Sequence, residues 1–558
     1  MLETLSTVAN RMRRTPRGWC LLAVLVALAL VSTTGRVVAA ANNIYIAQTA
    51  TGANNGQSCA NAYAYTFFNT ASNWETGANQ IGPGTTVNLC GTIAAELTAH
   101  GSGSSGSPIT ISFQSTAQIS LPACDNSNGC LNVSGKSYII VDGGTPCGPG
   151  TACSASLSGT GIIQETANGT GLRYSQDSIA VNAAGGCSNC EFRNLIIGPL
   201  YQHTSMSDTH NFGADGAIYV GGCSGCTIKI HDSTIHDATG ALDYIPTTGD
   251  NGLQVYNNAA YNVNAGVAVA GSSSGNVLIA AQIHDNYIHD EANWDATGCP
   301  YHHDGIHAWG EFGGAVSGVN FYNNWIGGNF GGCPTGAIFF EGYTHDSLFY
   351  NNVVNTTYTQ QNNPIVALSG FNLTVVNNTL IGAFQGSDIC FWTGYSSDSS
   401  LSFTPSITFE NNIISGCHTL TDQGQSPVLT AWDYNVYGGN NSNPWYVLRA
   451  NGTQTWYPAL GGWQSACACD SHSKFGSSQT YAEVNTDGTL QAGSPAAGAG
   501  ANLASLGIAL LDADTTAGGT RTPTGRPASG AWSVGAYNAA ATSSGTPAAP
   551  GALTVTVH

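Results

Sequence analysis

Charge is scarce in this sequence, and positive charge scarcest of all. Only 8% of its 558 residues are Asp, Glu, Lys or Arg, with 13 basic against 32 acidic residues and a net charge of −19. Arg11, Arg13, Arg14, Arg17 and Arg36 all lie in the first 40 residues, so the remainder is more acidic still. Such a surface repels phosphate backbones and anionic membranes. Nucleic acid is excluded as a partner. Long apolar runs are also missing: beyond residues 19–31 none is long enough to span a bilayer, so no membrane partner is expected.

The early apolar run has its own reading. Four arginines precede Trp19–Val31, and the small residues VVAAANN follow at Val37–Asn43. A basic stretch, a short apolar stretch and a small-residue cleavage site make an export leader over residues 1–40. The protein is therefore expected to be secreted and extracellular. Of its 17 cysteines only Cys20 falls in the leader, leaving an even number in an oxidising compartment. The phrases GGCSNC and GGCSGC place Cys187 with Cys190 and Cys223 with Cys226 as local staples. Zinc held by the two CxxC pairs is the alternative. Cys299 is expected to pin its loop through Cys333.

What the chain does have is repetition. FRNLIIG at Phe192, IHDSTIHD at Ile230, IHDNYIHD at Ile283, FYNNWIGG at Phe321, FYNNVVNT at Phe349, VVNNTLIG at Val375, FENNIISG at Phe409 and WDYNVYGG at Trp432 share one pattern. Each is an apolar residue, an outward residue, Asn or Asp, and then a short apolar strand. Irregular spacing around a fixed strand indicates coils of a solenoid with loops of different length. The repeated Asn194, Asp232, Asp285, Asn323, Asn351, Asn377 and Asn411 are expected to stack as a polar ladder at the corner.

A second strand precedes each phrase: DGAIYVG, NGLQVYN, DGIHAWG, TGAIFFEG and NPIVALSG. Alternation, with the glycines aligned, turns Ala217 and Tyr219, Ile306 and Ala308, and Ala337 and Phe339 inward. It turns His307, Trp309 and Phe340 outward, with Gln254 and Ile338 as the neighbours of His307.

These phrases, together with ITISFQ at Ile109 and SYIIVDGG at Ser137, resemble the pectate-lyase-like superfamily, especially its secreted carbohydrate-active members. The resemblance implies an all-β, right-handed parallel β-helix with long loops on one edge, covering residues 41–437. Residues 438–537 are expected to form a loop-rich closing region packed on the solenoid, and residues 538–558 a flexible tail. The same fold carries hydrolases, lyases, epimerases and adhesins, so it does not choose the chemistry.

Chemistry is expected where loops meet strands. Long connections before Asp215, Asn251 and Asp304 are expected to form a wall on one edge. In GCPYHHDGIHAWGEF, from Gly298, three histidines and an aspartate meet several aromatic side chains. Asp304 and Glu341 are the candidate pair of carboxylates for glycoside hydrolysis, with His307, His303 and Asp243 as further catalytic candidates. Asp250, Asp290, Glu291 and Asp295 are rivals from the loops, and a turn-capping role is the plain alternative for Asp304. Tyr301, Trp309, Trp294 and Phe340 offer flat surfaces to sugar rings, or else pack between coils.

The expected partner is a polysaccharide or oligosaccharide, bound by a monomer without a cofactor. Lyases of this fold use calcium with Arg or Lys. Here only Lys136, Arg173, Arg193 and Lys229 lie between residues 42 and 448. A lyase or epimerase would need a His or Tyr base and calcium, and a non-catalytic glycan-binding solenoid is the third reading. The chain lacks the Gly-His-Gly of polygalacturonases. A transition-metal set of His302, His303 and His307 is a further alternative.

Overall fold

Each phrase contributes one strand, one tight corner and a second strand. The computed structural model describes residues 42–539 except 78, 125–126, 169–178, 210–215, 223, 246–251, 272–276, 311–312, 359–363, 383–387, 394–405, 424–427, 440, 443, 449–453 and 479. The expected leader, nearly all of the expected tail, and Asp215 and Asp250 lie outside the described residues.

The chain winds as a right-handed parallel β-helix whose coils have three strands. One complete coil is Asn320–Tyr322, Trp325–Gly331 and Gly336–Gly342. The first strands stack into a 14-stranded sheet that begins with Tyr63–Ala64 and Asn43–Ala47 and ends with Val428–Asp433. Every pairing along it is parallel. Ile230, Val255, Ile283, Phe321, Phe349, Val375, Phe409 and Trp432 lie in register in successive coils and are at most 2% exposed. This apolar column explains why the phrases repeat: each coil covers the apolar face of its neighbour.

The polar ladder lies one residue beyond the expected position. Asn194, Asp232, Asp285, Asn323, Asn351, Asn377 and Asn411 all have φ between 54° and 59°. They turn the corner in the left-handed region, which Asn and Asp tolerate better than most residues. The stacking amides are Asn258, Asn286, Asn324, Asn352, Asn378, Asn412 and Asn435. Asn286 Nδ2 donates to Asn324 Oδ1 at 3.0 Å, and Asn324 Nδ2 to Asn352 Oδ1 at 3.0 Å. Each amide also accepts a backbone N–H and donates to a backbone carbonyl, as Asn324 does with Asn286 and Ile283. The ladder ends where Asn435 donates to Asp470 at 3.1 Å.

Two register expectations are corrected. NGLQVYN is a first strand, paired with Thr227–His231 and Gln282–His284, because its own Asn257-Asn258 supplies the corner. Gln254 is therefore no neighbour of His307. In the third strands the leading glycines, Gly305 and Gly336, do not align: Asp304 lies opposite Gly336, and Ile306 opposite Ile338. That one-residue offset exchanges the faces. Ile338 and Phe340 enter the core, while Phe339 faces outward beside His307. Ile218 and Val220 likewise enter the core.

The C-terminal segment packs along the corner between first and second strands, against Trp325, Val353, Ile413 and Val436 as well as the first sheet. Tyr350, Val376, Leu503, Ile508 and Trp532 form one apolar cluster. Arg526, 4% exposed, donates to Asn351 Oδ1 and to the carbonyls of Ser533, Gly535 and Ala536. Among the described residues no helix is long and apolar enough to cross a membrane.

Candidate functional site

The outer face of the third strands is where unusual groups gather. Strand pairing places Tyr219, Asp243, Ala268, His307, Phe339, Ala367, Trp392 and Asp422 in one row across successive coils. A row of this kind advances about 4.8 Å per coil. Asp243 comes from the continuous strand Thr234–Ile245 and not from the long connection expected before Asn251. It stands two coils from His307 with Ala268 between them, and is 1% exposed.

His307 is the centre of the arrangement. Its Nδ1 lies 3.3 Å from Asp304 Oδ2, and its Nε2 lies 3.3 Å from Glu341 Oε1. Glu341 is opposite Trp309 in the next coil, so strand register alone brings it beside the imidazole. Asp304 lies at the head of the strand, with its side chain 1% exposed against 12% for Glu341 and 14% for His307. The rings of Trp309 and Phe339 flank His307 at 4.6 and 5.1 Å between centroids.

His302 completes the cluster from the loop side. Its side chain is 60% exposed and its Nδ1 lies 3.7 Å from Asp304 Oδ2. The Asp304 carboxylate holds the His302 imidazole above its ordinary pKa against the effect of burial. The backbone N–H groups of His302 and His303 both donate to Asn264 Oδ1, at 3.0 and 3.1 Å. That clasp fixes the entry to the strand.

Glu291 was only a rival in the sequence, yet it is fully buried beside this group. Burial, reinforced by the charge of Asp304, raises its carboxyl well above the usual range. Its signal in the sequence was weak, since EANWD reads as an ordinary polar loop.

Several expected site residues lie elsewhere. His303 is 0% exposed and directs Nδ1 to the Phe330 carbonyl at 2.9 Å, so it steadies the loop and does not join the cluster around His307. Phe340 is 1% exposed and packs on Phe321 and Phe349. Trp294 and Tyr301 are buried with Tyr201 and Ala296 in a satellite cluster under the loops. The ring of His203 packs against both Trp294 and Tyr301. These aromatics build the loop wall and offer no open face to a sugar; Trp309 is partly exposed. The loop wall is secured by Cys299–Cys333 and by Asp295, which accepts the N–H groups of Gly332 and Cys333. Cys187–Cys190 forms as expected, and Cys226 is disulfide-bonded, while Cys223 lies outside the described residues.

No family model matches the chain, and no curated protein matches it. Solved structures similar to it include a GH136 lacto-N-biosidase from Eubacterium ramulus, at 11% identity and a TM-score of 0.40, covering 76% of this chain and 70% of that one. XylC in complex with xylose matches at 11% identity and a TM-score of 0.35, covering 71% and 84%. A mannuronic acid specific polysaccharide family 6 lyase from human gut microbiota matches at 13% identity and a TM-score of 0.28, covering 70% and 91%. Likenesses of this size decide nothing about activity. The coil architecture rests on the strand pairings above.

Proposed function

We propose that the protein is a secreted glycan-degrading enzyme, a glycoside hydrolase acting on a neutral or weakly acidic polysaccharide. The observation that carries this reading is the convergence of Asp304 and Glu341 on opposite nitrogens of His307. Glycoside hydrolysis needs one group to protonate the leaving oxygen and another to activate water or attack the sugar. Of these three, Glu341 and His307 reach the surface; Glu341 is assigned the proton transfer to the leaving oxygen, and His307 takes the proton of the water that attacks the sugar. Asp304, buried behind them, positions the imidazole. Trp309 provides an apolar face for a sugar ring beside the reacting groups.

The acidic surface favours a substrate without dense negative charge. A uronate lyase needs a neutralising cation or base beside the substrate carboxylate. Arg193, one of the few cations in the coils, is paired with Asp142 and Glu191 on the first sheet. The test is a panel of plant, algal and microbial polysaccharides, assayed for new reducing ends and for the ultraviolet chromophore of unsaturated uronates. Reducing ends without the chromophore support hydrolysis. The chromophore would replace it with elimination, and neither signal across a broad panel would remove the enzymatic reading.

A further inference from the structure

The atoms around His307 present an electrostatic conflict. A neutral imidazole carries one N–H, yet both nitrogens of His307 face carboxylate oxygens. With both carboxyl groups ionised, one lone pair is therefore aimed at a carboxylate whichever tautomer forms. Asp304 adds to the problem: its side chain is 1% exposed, and among the described residues no hydrogen bond reaches either oxygen. Glu291, also buried beside it, receives none at its own oxygens. A carboxylate removed from water without hydrogen bonds is costly unless a cation compensates it.

We propose that His302 Nδ1, Asp304 Oδ2 and His307 Nδ1 form a binding site for a divalent transition-metal ion of the zinc class. One ligand atom from each residue lies within 4.8 Å of the other two. The separations of 3.3 and 3.7 Å from Asp304 Oδ2 to the two ring nitrogens approach the edge of a tetrahedral site. Ligands about 2.0–2.1 Å from zinc are roughly 3.3 Å apart. His302 is exposed enough to close the remaining distance by rotating its side chain.

Two imidazoles and a carboxylate suit zinc, cobalt, nickel or copper in preference to calcium or magnesium, which take mainly oxygen ligands. Glu341 supports the same assignment. Its Oε1, 3.3 Å from Nε2, favours a proton on that nitrogen and so the tautomer whose Nδ1 lone pair points at the other two ligands. Carboxylate support of a metal-bound histidine is a recurring arrangement. The set differs from the one expected from sequence: Asp304 takes the place of His303, which is committed to the Phe330 carbonyl. Three protein ligands leave positions for water or a substrate oxygen on the exposed side of His302. This inference goes beyond the hydrolytic reading and does not need it.

The test is a cobalt(II) titration of the chelator-stripped full chain, followed by visible absorption and equilibrium dialysis. Bound cobalt is expected at one ion per chain, displaced by zinc chloride and not by calcium chloride. His302→Ala should weaken binding by at least about tenfold while its melting curve matches the parent, since His302 is a surface side chain. His302→Gln, of similar bulk, should show the same loss. Absence of bound cobalt in the parent protein overturns the proposal, as does undiminished binding in both His302 variants. No glycan enters this titration, so a failed polysaccharide screen and a failed metal titration are separate results.

Discussion

His307 and Glu341 come from adjacent coils, thirty-odd residues apart in the chain, and meet with Nε2 3.3 Å from Oε1. The contact depends on the one-residue offset that places Asp304 opposite Gly336. Aligned by their leading glycines, Gly305 and Gly336, the same two strands would turn Glu341 away from the outer face. The proposed proton-transfer pair is thus a product of register.

Replacing Glu341 by Gln keeps its size and removes the proton. On a glycan that the parent protein cleaves, E341Q should lower kcat by about 10²–10⁴, with little change in melting temperature. Steady-state kinetics and a thermal melt on the same preparation check both halves. Activity within a few-fold of the parent would dismiss Glu341 from proton transfer.

Phe340 and Trp309 were paired in the sequence as sugar platforms, and the structure separates them. Phe340→Ala should destabilise the fold by about 3–5 kcal/mol, because it opens a cavity against Phe321 and Phe349. Trp309→Ala should cost much less stability and instead raise KM. Denaturant unfolding and kinetics distinguish the two outcomes.

The asparagine ladder should be intolerant of substitution. Asn324→Ala strands the backbone and side-chain N–H groups of Asn286 and the Ile283 carbonyl that Asn324 satisfies. Each buried unsatisfied group costs about 1–3 kcal/mol, so a loss on the order of 3 kcal/mol is expected in denaturant melts. Asn323→Gly, at the neighbouring left-handed corner, should be far milder. Equal losses at the two positions would refute the ladder assignment.

Stability should carry a pH signature from Asp514. Burial, with Asp285 close by, pushes its carboxyl up to about 7, while Asp285 is held low, its burial outweighed by hydrogen bonds that begin with His284. A raised carboxyl pKa means that the folded state holds a proton the unfolded state has released. Its contribution is therefore complete below about pH 4 and is lost as pH rises through about 7. Asp514→Asn cannot ionise, so its melting temperature relative to the parent should rise between pH 5 and pH 8. A difference independent of pH would show that Asp514 does not titrate in that window.

The bond between Cys299 and Cys333 closes 34 residues of sequence separation and holds the loop that delivers His302 and Asp304. Paired Cys299→Ser and Cys333→Ser substitutions should lower stability by about 2–4 kcal/mol. They should also weaken any property that depends on His302 more than a comparable global destabilisation does. A matched comparison with Asn324→Ala provides the control.

The coil architecture was legible in the linear pattern, because a solenoid repeats one physical solution in every turn. An apolar residue faces the axis, a short-chain amide or acid takes the left-handed corner, and another apolar strand follows. That pattern also pointed to the region of the candidate site, since DGIHAWG interrupts an apolar strand with His307. It misplaced the ladder by one residue because consecutive asparagines look alike until backbone torsion separates the corner from the stack. It misread Phe340 because strand alternation has a period of two, so a one-residue error in alignment reverses every face.

Glu291 and Asp243 show the remaining limit. Their burial depends on packing by other strands and loops, which local sequence does not encode. By itself the sequence determined the repeating coil, the acidic surface poor in cations and the residues available for chemistry. Tertiary structure decided which of them meet, because parallel register and loop packing set distances between residues that the chain keeps far apart.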